Sequence, residues 1–184
     1  MPKAYVNLPV LRPTMTPLPT RENNNTVRSS LVPPKLNQVN NWLNWFQPAD
    51  WQTAVGPDGA VISPDLTNLG APMMMIRRWG SPVDLSGWQS YIPDGEVEPN
   101  GHVSVVMGGR HWNGVFILCP EYTCRAFFAA TTEEAETVSY SLLVYVPSSI
   151  DLSSTADPQK TLYDLWDIEA GKLNATLHSL NISE

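Results

Sequence analysis

At 184 residues with 42% hydrophobic composition, the chain is long enough for one domain with a sizeable core, which excludes disorder over its whole length. A formal net charge of -7 and a pI near 4.9 exclude a general nucleic-acid binder, which would be basic over its binding domain. No run reaches the roughly 18 apolar residues needed to span a bilayer, and the N-terminus lacks the apolar stretch of a secretion signal; the expectation is a soluble, cytosolically made chain with no membrane partner.

The charge is uneven. Residues 1–40 carry Lys3, Arg12, Arg21, Arg28 and Lys35 against Glu22 alone, a balance of +4 that leaves -11 for the remainder. Within residues 1–35, prolines at 2, 9, 13, 17, 19, 33 and 34 remove backbone donors and fix φ, so the segment reads as an extended arm outside any helix or central strand. Such a segment buries too little apolar surface to fold alone, and Tyr5, Leu8 and Leu11 are the side chains it offers to a neighbour.

After the arm, "KLNQVNNWLNWFQPADW" repeats Leu36, Val39, Leu43 and Phe46 at helical spacing, predicting a short helix near residue 40 that stops before Pro48. Trp42, Trp45 and Trp51 belong to core or interface packing in this reading, with an aromatic platform for a sugar or base as the alternative. "VGPDGAVI" predicts a hairpin in which Asp58 and Gly59 supply positive φ. "APMMMIRRWG" predicts a strand, and "SPVDLSGWQSYIPDGEVEPNG" a turn-rich connection.

From His102 onward, "HVSVVM", "WNGVFILC", "YTCRAFFAA" and "TVSYSLLVYV" are β-rich runs with short connections, the pattern of an antiparallel meander. The last run places Val138, Tyr140, Leu142, Val144 and Val146 on one face and Ser139, Ser141, Leu143 and Tyr145 on the other, so both faces carry large apolar groups. At the end of the chain, Asp157 and Pro158 read as helix N-cap and first helical position, followed by Leu162, Leu165, Trp166, Leu173, Leu177 and Leu180 on one side.

Candidate chemistry is sparse. Cys119 and Cys124 flank "PEYT"; a lone C-x4-C pair is no zinc pattern, and the two thiols are expected to stay reduced in a cytosolic product although a turn would let them bond. "MGGRHWNG" is a hairpin turn that can present Arg110 and backbone N–H groups to an anion. Arg77 and Arg78 precede Trp79 in the one basic-aromatic cluster of the body; on a strand they face opposite ways, so Arg77 is the anion contact or the partner of an acid. His102, His111 and His178 lie in no recognisable triad pattern, the acids of "PDGEVEPNG" and "TTEEAE" read as turns, and neither a catalytic function nor a cofactor is expected.

These features predict a mainly β protein: an arm at 1–35, an antiparallel β-sandwich or jelly-roll-like body at 36–156, and a helical segment at 157–184. The function expected is a structural subunit of a symmetric assembly, a virus capsid or virion protein whose partners are copies of itself or other virion proteins. Its arm and Trp42, Trp45, Phe46 and Trp166 would supply contacts, with nucleic acid a weak partner at most. The alternative is a carbohydrate-binding sandwich that stacks exposed tryptophan rings on sugars.

Overall fold

The computed structural model describes residues 35–39, 41–131, 138–148 and 155–183. Tyr5, Leu8 and Leu11 of the arm, and Glu133, Glu134 and Glu136, lie outside the described residues. The described chain is mainly β, with two antiparallel sheets and a C-terminal helix.

The first departure from expectation is at residue 40. Lys35–Val39 (β1) and Leu43–Gln47 (β2) form an antiparallel hairpin where a helix was predicted. Asn41 takes φ 64 in the turn, which asparagine tolerates better than most residues, and the Trp42 N–H donates to the Val39 carbonyl at 3.0 Å. Burial then follows a period of two: Leu43, Trp45 and Gln47 point inward, while Leu36 and Phe46, paired across the hairpin, stay exposed. Asn181–Ile182 (β10) joins the other edge of β2, a partner more than a hundred residues distant that no local pattern could announce.

The larger sheet has seven strands in the order β3-β4-β5-β9-β8-β7-β6. They are Gln52–Gly56 (β3), Gly59–Ser63 (β4), Met73–Trp79 (β5), Glu96–Met107 (β6), Arg110–Leu118 (β7), Cys124–Thr131 (β8) and Ser139–Pro147 (β9). Two meanders, β3 to β5 and β6 to β9, are joined where β5 pairs with β9. A jelly roll divides eight strands between two sheets; here seven share one sheet.

Turn chemistry explains the hairpins. The β3–β4 turn falls on Pro57 and Asp58, and neither Asp58 nor Gly59 adopts positive φ. Gly59 is required by proximity instead, because a Cβ there would come within 2.2 Å of the Ile76 carbonyl on β5. At the β6–β7 turn, Gly108 and Gly109 take φ 58 and 76, the left-handed pair of a two-residue hairpin.

The helix Pro158–Ser179 (α1) starts where expected: the Asp157 carboxylate accepts from the Lys160 N–H at 2.9 Å and Pro158 occupies the first turn. Together with the hairpin, α1 seals one face of the seven-stranded sheet. Val39, Leu43 and Trp45 from the hairpin and Trp166 and Leu173 from the helix share a core with Ile76, Trp112, Phe127, Leu142 and Val144. A charged clamp fixes the helix: Arg125 donates to both carboxylate oxygens of Glu98, at 2.6 and 3.0 Å, and its guanidinium lies 4.1 Å from the Tyr163 ring centroid and 5.1 Å from that of Trp166.

A candidate binding cavity on the open sheet face

Among the described residues, the opposite face has no such layer. Its cover is the segment 80–95, which runs from β5 across to β6 and carries a short 3-10 turn at Leu85–Ser90 capped by the Asp84 carboxylate. Trp88 and Ile92 from this segment pack on Val115, Ile117, Ala126 and Phe128 of β7 and β8, and Tyr91 sets its ring 6.1 Å from that of Phe128. The cover stops short of one end of β5 and β9.

A cavity of about 650 Å³ is left there. Its floor consists of two directly opposed pairs, Met75 with Leu143 and Met73 with Tyr145, each contributed by β5 and β9. One wall is Tyr91, Ile92, Pro93 and Asp94. The β7–β8 turn adds Cys119, Pro120, Glu121 and Thr123 to the lining, next to the first wall, since Glu96 pairs with Leu118.

That turn is tightly held. Cys119 and Cys124 are joined as a disulfide with Cα atoms 5.0 Å apart, correcting the expectation of reduced thiols. The two residues also hydrogen-bond through their backbones, Cys119 N–H to the Cys124 carbonyl at 3.0 Å, which shows why their side chains meet. Thr123 donates through both its N–H and its hydroxyl to the Pro120 carbonyl, and Ser148 N–H donates to the Thr123 carbonyl at 2.8 Å. Glu121 and Tyr122 sit at φ 55 and 58, a left-handed conformation that costs each residue about 1 kcal/mol and persists because the surroundings fix it. Burial holds the Tyr145 phenol above its ordinary pKa.

The residues singled out from sequence go elsewhere. Trp42, Trp45 and Trp166 lie buried in the chain's own core, and Phe46 is 43% exposed on the outer face of the hairpin. Arg110 is buried, with its guanidinium 5.0 Å from the Tyr140 ring centroid. Arg77 lies over Trp79 at 4.3 Å, and the Trp79 indole donates to the Ser141 hydroxyl at 2.8 Å. His102, His111 and His178 are exposed on three different elements. Six of the seven tryptophans are buried, which removes the ring platform that a sugar-stacking site requires. The cavity residues were missed, although one signal was present: both faces of the last strand are apolar, and the second face is the cavity floor.

No family model and no curated protein matches this chain. Among solved structures, a point mutant of the protein Mog1 is similar at TM-score 0.51 and 11% identity, over 81% of this chain and 95% of that one. The solution structure of cyanobacterial PsbP from Synechocystis sp. PCC 6803 gives TM-score 0.47 at 10% identity, over 87% of this chain and 98% of that one. A protein from Bacteroides thetaiotaomicron VPI-5482 gives TM-score 0.41 at 13% identity, over 80% of this chain and 47% of that one. The one of these at a TM-score above 0.5, Mog1, is not a virus capsid protein, and the capsid and virion reading is overturned. The physical reason is legible in the sheets: β-rich runs behind a proline-rich segment are common to many architectures, and the one formed here has the fold of Mog1.

Proposed function

We propose that the chain is a non-enzymatic binding domain whose ligand, a largely apolar small molecule, seats in the cavity between β5, β9 and the disulfide-closed turn. The observation that carries this reading is the cavity itself: about 650 Å³, within the range of small-molecule sites, with an apolar floor and a few polar groups at its edge. The scaffold behind it is a two-layer sandwich, with the three-stranded sheet and α1 packed on the sealed face of the seven-stranded sheet, so the floor rests on a rigid layer.

The lining argues for binding over catalysis. Among the described residues its one cysteine is committed to a disulfide, it includes no histidine, and Thr123 uses its hydroxyl to bond its own turn. The charge of -11 outside residues 1–40 repels phosphate backbones, which directs the search away from nucleic acid.

The test is fluorescence titration with phenylnaphthylamine, a neutral apolar dye that brightens on leaving water. Wild type is expected to bind it saturably, and Met75→Trp, which places an indole in the cavity, to weaken binding about tenfold or more while circular dichroism stays unchanged. Equal binding by both proteins would defeat the reading.

A further inference from the structure

The cavity's lining is one-sided in charge. Asp94 and Glu121 are both exposed residues of its lining, and among the described residues no lysine, arginine or histidine lines it. Arg77, two residues beyond Met75 on the same face of β5, is stacked on Trp79. Two tyrosines, Tyr91 and Tyr145, are among the lining residues, and the face of a tyrosine ring attracts cations. Glu121 belongs to the turn closed by the Cys119–Cys124 disulfide, so its position is set before any ligand arrives.

Resting on the reading of this cavity as a binding site, we infer that its ligand is a small cationic amphiphile: an apolar body against Met73, Met75 and Leu143, and an ammonium or amidinium head at Asp94 and Glu121. Both carboxylates attract such a head, and both repel an anionic one of equal size. The apolar body supplies affinity in proportion to the area it removes from water, and the acids supply the choice between ligands.

Competition against bound phenylnaphthylamine tests this with three probes of matched chain length: decyltrimethylammonium and decyl sulfate below their micellar concentrations, and decanol below its solubility limit. The cation is expected to displace the dye at about one tenth the concentration of the sulfate or less, and the gap to shrink as salt is raised toward about 1 M. In the double variant Asp94→Asn, Glu121→Gln the gap is expected to fall to about twofold, each probe being read against that variant's own dye affinity. A second double variant, Asp50→Asn, Asp167→Asn, makes the same change in net charge at exposed sites outside the cavity lining, and is expected to keep the gap.

If the dye binds but cation and sulfate compete equally, or if both double variants lose the gap alike, the inference is overturned while the cavity remains a binding site. If wild type and Met75→Trp bind the dye equally or not at all, the cavity reading falls and the inference falls with it.

Discussion

Ile76 and Leu142 on one face of the seven-stranded sheet lie fully buried beneath a hairpin and a helix, whereas Met75 and Tyr145 on the other remain half-buried beside a single crossing segment. The strands are the same, and their side chains are apolar on both sides. What differs is the amount of chain assigned to cover each face. A sheet face is closed by another layer of secondary structure, and the segment 80–95, with one short 3-10 turn, covers β7 and β8 but not the end of β5. The end that no described residue covers is the cavity proposed above as a binding site.

Truncating matched neighbours separates the two faces by the largest margin. Leu142→Ala, at a position with no exposure, is expected to cost about 3–4 kcal/mol in urea unfolding, since the lost transfer energy adds to a cavity that cannot collapse. Met75→Ala, beside an existing cavity, is expected to cost about 1 kcal/mol. Equal losses would mean that the two faces are equally closed.

Arg125→Ala attacks the sealed face through its clamp. Arg125 and Glu98 are 11% and 10% exposed, so removing the guanidinium strands a mostly buried carboxylate and three aromatic contacts. A loss of about 3 kcal/mol is expected, with Arg125→Lys recovering only part of it because lysine cannot make the two-pronged bond. A loss below about 1 kcal/mol would show that α1 is held by its apolar side alone.

Much of this organisation was legible in the sequence. The meander from His102 to β9, the alternation of Tyr140, Leu142 and Val144 against Leu143 and Tyr145, and the capped start of α1 all follow from local period and cap chemistry, whereas residues 96–101, read as turn, open β6 ahead of a bulge in its register. Residues 36–46 did not, because Val39 and Leu43 suit either period, and the deciding partners, β10 and the seven-stranded sheet, are remote in sequence. The cavity was hidden for a related reason. An apolar second face announces that something lies against it, but only the path of residues 80–95 determines where that cover ends.

On the open face, the disulfide is the stabilising device within reach of solution chemistry. Reduction by a dithiol is expected to destabilise the chain by about 2 kcal/mol, the loop entropy of so short a closure. Because the same turn forms one wall of the cavity, reduction is also expected to weaken dye binding, whereas a dithiol-treated Cys119→Ser, Cys124→Ser variant should show no further change. Unaltered dye binding after complete reduction, verified by thiol titration, would separate the wall from the disulfide.

The smallest effect distinguishes the faces by pH. Burial raises the pKa of Tyr145 at the cavity floor, and burial followed by the Glu98 charge raises that of Tyr163 beside the clamp. A phenol whose pKa is higher in the folded state than in the unfolded one contributes stability that is complete below the unfolded value, about 10, and is lost as pH rises toward the folded value. Lys160, raised by its hydrogen bond to Asp164, titrates in the same direction on the exposed side of α1. The melting temperature is therefore expected to hold steady up to about pH 9.5 and then fall. Tyr145→Phe removes the phenol of the open face and Tyr163→Phe that of the sealed face, each leaving Lys160 in place. If burial at the cavity floor is real, Tyr145→Phe makes the alkaline fall shallower. If the decline is identical in wild type and Tyr145→Phe, the phenol is as solvated when folded as when unfolded, and the floor of the cavity is open water.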